Sequence, residues 1–103
     1  MSAALFQTRF LIDANHPALP GHFPGRPVVP GVVLLDQVAV ALAQWKNARI
    51  GEMPQVKFVR PLLPGEEAAL RLEEAGSSIR FHISLADETI ATGLLGVAAE
   101  ANR

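Results

Sequence analysis

One stretch of this chain reads as a helix, Gly31 to about Ile50, and it is apolar on almost every side. Between Gly31 and Ala43 only Asp36 and Gln37 interrupt a run of Val, Leu and Ala. A helix without a polar face belongs in a core. A chain of 103 residues has room for one domain, so the rest of the sequence must supply the surface that encloses this helix. Pro30 stands at its start, where a missing N–H costs nothing. Lys46 and Arg49 lie in the last turns, where cations suit the helix dipole, and Gly51 is the expected C-terminal cap.

The flanking segments read as strands. Leu5 to Ile12 places Phe6, Phe10 and Ile12 on one face, and Asp13-Ala14-Asn15 ends it. Residues 16–30 hold five prolines and two glycines, a composition that excludes both helix and strand. Leu19, Phe23, Val28 and Val29 give this loop apolar anchors, so it is ordered rather than a linker. After the helix, Gln55 to Arg60 is a strand and Pro61 to Glu66 a turn. Ala68 to Ala75 carries Leu70 and Leu72 on one face, and Gly76-Ser77-Ser78 signals a hairpin. Ile79, Phe81, Ile83 and Leu85 then alternate with Arg80, His82 and Ser84. Asp87-Glu88 turns into a last strand from Thr89 to about Ala99. Pattern alone gives an α+β chain with an antiparallel meander.

Composition narrows the function classes. A net charge of −1 gives no reason to expect nucleic acid or an anionic membrane as partner. The absence of cysteine excludes disulfides, thiolate metal sites and a cysteine nucleophile. The N-terminal residues lack the basic start and apolar run of a signal peptide, and the apolar run Val38 to Ala43 is too short to span a bilayer; the expected compartment is the cytoplasm. Half of the residues are apolar while only 18% are charged, below the usual quarter. That balance points to apolar surface covered by a second copy of the chain.

Gly21-His22-Phe23-Pro24-Gly25, then Pro27-Val28, Pro30-Gly31-Val32 and Asp36, resembles the signature of the β-hydroxyacyl-acyl-carrier-protein dehydratases of bacterial fatty-acid synthesis. Val56-Lys57-Phe58, Arg60-Pro61 and Pro64-Gly65-Glu66 resemble that family's third-strand segment. The two blocks stand in the right order and together cover most of residues 15–66. The long-chain branch of the family usually carries Glu at the position of Asp36. The isomerising branch usually carries Asp there, but lacks the proline found here as Pro24. This sequence mixes the two and is shorter than the family norm, so the acyl length is left open. The resemblance implies one hot-dog domain over residues 1–103, an antiparallel sheet wrapped around one long central helix. It also implies dehydration of (3R)-3-hydroxyacyl thioesters, on acyl carrier protein, to trans-2-enoyl thioesters in fatty-acid or related polyene and lipid biosynthesis, with no cofactor or metal. In this family the histidine and the acid come from different subunits, which implies a homodimer. A trimer of dimers and a mixed dimer stay open, as does coenzyme A in place of the carrier protein.

Such a reaction needs a base for the α-proton, an acid for the departing hydroxyl and a donor for the enolate-like oxygen. His22 is the candidate base, because an ordinary imidazole pKa of about 6.5 leaves much of it neutral near pH 7. Asp36 is the candidate acid: among Leu34, Leu35, Val38 and Ala39 it is expected to be desolvated, which favours the protonated carboxyl. The Gly31 N–H, in the first helical turn, is the candidate oxyanion donor. Phe23, Val28, Val32, Leu35 and Phe58 are candidates for an acyl tunnel, and Arg26, Lys57 and Arg60 for docking an acidic carrier protein. Each has a plainer reading. His22 and the cations suit a solvated surface, Asp36 an interface hydrogen bond, Gly31 a simple helix start, and the apolar residues a core. His16 and His82 read as structural or surface residues, with no metal-ligand spacing around them. Two rival functions remain open. One is a hot-dog acyl thioesterase, which has no need of the His22 loop; the other is a non-catalytic dehydratase-like subunit that binds acyl carrier protein.

Overall fold

The computed structural model describes residues 4–17 and 28–98. Strand β1 is Leu5–Leu11, helix α1 is Gly31–Lys46, and strands β2 to β5 are Ile50–Phe58, Glu67–Ala75, Ser78–Leu85 and Glu88–Val97. The strands form one antiparallel sheet in the order β1-β3-β4-β5-β2, leaving β1 and β2 as its edges. This is the element order expected from the sequence, one strand and one helix followed by four strands.

Alternation sets the faces of the sheet. Leu70, Leu72, Phe81, Ile83, Ala91 and Leu95 are buried toward α1. They pack with Val33, Leu34, Val38, Ala41 and Leu42 of the helix. The opposite face carries an unbroken polar row across all five strands, Gln7–Arg71–His82–Thr92–Lys57. A one-sided antiparallel sheet puts apolar residues in and polar residues out in this way.

The helix departs from the sequence expectation in two respects. It ends at Lys46, because Asn47 takes the left-handed conformation at φ 52° and donates its N–H to the Ala43 carbonyl at 2.9 Å. Asn tolerates that conformation better than most residues, so Asn47 rather than Gly51 is the cap. Ile50 then opens β2, which begins five residues earlier than expected. β2 contains Pro54 and two register shifts, as an edge strand permits. The second departure concerns burial. A single sheet covers one face of α1 only. Val32 is 65% and Val40 50% exposed, and Asp36, Ala39 and Ala43 are exposed beside them. The helix is apolar all round because it has two apolar faces, and only one of them meets this chain's own sheet.

Both ends of α1 are held. At its C-terminal end Trp45 stacks on Phe6 of β1, with ring centroids 6.1 Å apart. Lys46 lies 4.4 Å from the Trp45 ring centre and pairs with Glu74 of β3 at 2.5 Å. At its N-terminal end Val33 and Leu34 donate to the Pro30 carbonyl at 3.0 and 3.3 Å.

Candidate active site

The lead-in to α1 and the turn after β2 are joined through the backbone. Val29 donates its N–H to the Leu62 carbonyl at 2.9 Å, and both side chains are buried. The turn is pinned in its own right: the Leu63 N–H reaches Glu66 Oε1 at 2.9 Å and the Gly65 N–H reaches the Ile12 carbonyl at 2.8 Å. Phe58 ends β2 opposite Ala91 of β5. Beyond it the Val59 and Arg60 N–H groups share the Ile90 carbonyl at 2.8 and 3.3 Å, and Arg60 forms an ion pair with Glu88.

These ties border an open cavity of about 360 Å³ at the start of the helix. Val28, Val29, Leu34, Phe58, Val59 and Leu62 supply apolar walls, Gly31 lies at the helix terminus, and Arg60 is the charged residue among those described. The N–H groups of Gly31 and Val32 have no acceptor among the described residues. They present the positive end of the helix dipole to the cavity region. A hollow of about 420 Å³ lies on the far face of the sheet, lined by Gln7, Arg9, Arg71, His82 and Ser84 among others. That hollow is larger, but it is polar and remote from the helix terminus. His82 there meets Thr89 Oγ1 at 2.9 Å, in keeping with the structural reading of that residue.

Of the residues predicted from sequence, Gly31, Val28, Phe58 and Arg60 come together around the apolar cavity. Val32 and Asp36 instead share the exposed face of α1, one turn apart. Asp36 is therefore not desolvated within the single chain as expected, because the buried stripe runs through Val33, Leu34 and Val38 and leaves position 36 facing outward. Leu35 packs against the core rather than the cavity. Lys57 points to the polar face, where it lines a shallow hollow with Arg80 and Thr92. His22, Phe23 and Arg26 lie outside the described residues. Sequence reasoning missed Val59, Pro61, Leu62 and Leu34 as cavity walls. The Val29–Leu62 tie and the Val59–Ile90 bond hold these segments in place, and neither leaves a periodic signal in the sequence.

A family model described as ApeI-like, ApeI dehydratase, matches residues 2–94. The chain belongs to the ApeI-like dehydratase family. Among curated proteins, the 3-hydroxyacyl-[acyl-carrier-protein] dehydratase FabZ of Haemophilus influenzae strain PittEE is 35% identical over 72 residues, covering 60% of this chain and 49% of that protein. The FabZ of Mannheimia succiniciproducens is 38% identical over 72 residues, covering 60% of this chain and 48% of its own length. The chain thus spans about half the length of the curated relatives it matches. Among solved structures, the dehydratase heterocomplex ApeI:P from Xenorhabdus doucetiae superposes with a TM-score of 0.81 at 24% identity, over 93% of this chain and 88% of the other. An N-terminal dehydratase from the difficidin assembly line gives 0.76 at 17% identity, over all of this chain and 41% of that one. At those identities the likeness shows the fold, and the fold of this ApeI-like chain is the expected hot-dog. No helix among the described residues is long and apolar enough to cross a membrane.

Proposed function

We propose that this ApeI-like chain dehydrates (3R)-3-hydroxyacyl thioesters, carried on acyl carrier protein, and that its site is completed by a second chain. The observation that carries this reading is the pairing of an apolar cavity at the Gly31 N–H, which has no acceptor among the described residues, with Asp36 on an exposed apolar helix face. The rise of an α-helix puts Asp36 about 7.5 Å further along the axis than Gly31. A carboxyl among Val32, Ala39 and Val40 becomes desolvated only when another surface covers that face. A second copy supplies such a surface, and with it the partner's own loop around His22. The FabZ relatives support the reaction class, and their name, 3-hydroxyacyl-[acyl-carrier-protein] dehydratase, supports the carrier protein as the source of the thioester.

In this mechanism the His22 imidazole removes the proton on the carbon next to the thioester carbonyl. The electron pair moves onto the carbonyl oxygen, where the Gly31 N–H hydrogen-bonds the developing charge. The Asp36 carboxyl protonates the C3 hydroxyl, the C–O bond breaks, and water leaves as the electrons return to form the trans-2-enoyl double bond. No cofactor enters the sequence. Arg60 is tied to Glu88, and Lys57 faces the other side of the sheet. Of the three proposed docking cations, Arg26 lies outside the described residues.

A second reading is favoured by one observation. A structural relative is a dehydratase heterocomplex, so the chain covering Asp36 is also open to being a different hot-dog chain, with this one acting as its partner subunit. One assay separates the readings. The protein is incubated with crotonyl- and longer 2-enoyl-carrier-protein thioesters, and the gain of one water is followed by mass. Hydration lost in His22→Ala is the expected result. Intact thioester with wild type favours the partner subunit, and free acid favours the thioesterase.

A further inference from the structure

The polar hollow on the far face of the sheet owes its shape to one small residue. Ala69 of β3 has Arg9 of β1 on one side and Ser84 of β4 on the other. In the neighbouring row on the same face, Arg71 stands between Gln7 and His82. The Ala69 methyl leaves a gap bordered by longer side chains, and all six residues line the hollow of about 420 Å³. Arg9 and Arg71 are diagonal neighbours across that gap, a relationship that sets Cβ atoms about 7 Å apart. Guanidinium forks on long stems reach a common point from such a spacing.

The charge here is unbalanced. Lys46 and Arg60 each pair with a glutamate, whereas Arg9 and Arg71 have no acidic partner among the described residues. None of the described residues lining the hollow is acidic. Glu67 and Glu73 share this face of β3, but Glu67 stands opposite Leu11, and Glu73 between Leu5 and Arg80. Around the two arginines are an amide, a hydroxyl and an imidazole, all able to donate hydrogen bonds. His82 is held at the edge of the hollow by its contact with Thr89 Oγ1 at 2.9 Å.

We propose that this hollow binds a phosphomonoester group, with Arg9 and Arg71 as its charge partners. Charge decides the ligand class. A phosphomonoester carries close to −2 at pH 7 and presents three acceptor oxygens, which balances two arginines. A carboxylate carries −1 and two oxygens, and leaves one guanidinium uncompensated. The planar fork of arginine also matches phosphate oxygens two at a time. The hollow lies on the opposite face of the sheet from the α1 terminus, so binding there is separate from the reaction proposed for the apolar cavity.

The test is an NMR titration of backbone amides with methyl phosphate and with acetate, at constant ionic strength and pH 7.5. The expected result is a set of shifts centred on Arg9, Ala69, Arg71 and Ser84, with methyl phosphate bound about 10-fold more tightly than acetate. Arg9→Gln and Arg71→Gln are each expected to weaken methyl phosphate about 10-fold. Ala69→Leu fills the gap and leaves every cation in place, and is expected to weaken it at least as much. Lys57→Gln removes a cation from the same face three strands from Arg71, about 14 Å away. Beyond a Debye length its effect is expected to stay below about 2-fold. Amides remote from the hollow report that each variant is folded. Equal weakening by Lys57→Gln, or binding that survives Ala69→Leu, reduces the site to general surface charge and overturns the proposal, as does a wild type without localised shifts. Flotation with phosphatidate vesicles separates two sources of the same group. Capture lost in both Arg71→Gln and Ala69→Leu assigns a lipid headgroup; methyl phosphate binding without such capture assigns a soluble phosphomonoester.

Discussion

Val32 stands one helical turn before Asp36 on the outward face of α1, and 65% of its surface is exposed. An apolar side chain that exposed, with Val40 one turn beyond at 50%, marks a face made for contact. Val40→Asp is the direct probe, since Val40 takes no part in the proposed chemistry. At an exposed position the substitution changes the stability of a lone chain by only about 0.5 kcal/mol. The expected outcome in analytical ultracentrifugation is a wild-type dimer and a folded Val40→Asp monomer. A wild type that is monomeric at every concentration removes the covered-face argument.

A shared site has a sharper signature. His22→Ala and Asp36→Asn are each expected to lower hydration by about 10²–10⁴-fold, the usual contribution of a positioned acid or base. Mixing the two inactive variants restores one intact site per mixed dimer, and with it part of the activity. Silence after subunit exchange, verified by native mass spectrometry, places both groups in one chain's site. Asp36→Glu keeps a carboxyl and is expected to retain more activity than Asp36→Asn.

Gly93 tests the packing beneath the helix. A Cβ there would collide with the Gln55 backbone carbonyl and lie 2.6 Å from Phe81 Cε2, a ring that is fully buried. Gly93→Ala is expected to cost about 3 kcal/mol or more in urea unfolding, because neither neighbour can withdraw. Adding Phe81→Leu should not recover the loss, since the carbonyl stays. Recovery in the double variant would mean that the ring, and not β2, sets the limit.

The β4–β5 turn offers a gain. Ala86 sits at φ 55°, a left-handed conformation that costs a residue with a Cβ about 1–2 kcal/mol. Ala86→Gly is expected to raise stability by up to about 1 kcal/mol after glycine's greater unfolded freedom is subtracted. An unchanged or lower melting temperature would show that the turn relaxes around alanine.

Much of this was legible in the sequence, for identifiable reasons. The alternation of Ile79, Phe81 and Ile83 gave β4 and its faces, because period-two burial leaves a direct trace. Gly31 and Phe58 were legible as candidates through the two motif blocks, and both line the apolar cavity. The outward turn of Asp36 was not, because a helix apolar all round gives no hint of which stripe its own sheet will cover. Nor was the end of α1: Asn47 and Gly51 are both acceptable caps, and the demand of Ile50 for its β5 partner Val97 decides between them. The cavity walls at Val59 and Leu62 depend on two backbone bonds between distant segments, which no local pattern encodes.

The strand order also dictates when the chain can fold. β1 pairs with β3, Leu5 opposite Glu73, and β2 pairs with β5, Ile50 opposite Val97. Neither edge strand has a partner until the β3–β4–β5 meander exists. Contacts so distant in sequence carry a large loop-closure cost and slow folding. The meander, joined by two tight hairpins, is the natural nucleus, and α1 with its two apolar faces is made before the surface it packs on. During synthesis the helix is therefore exposed on both faces until the last strand is complete, which makes it the segment most in need of a chaperone's cover.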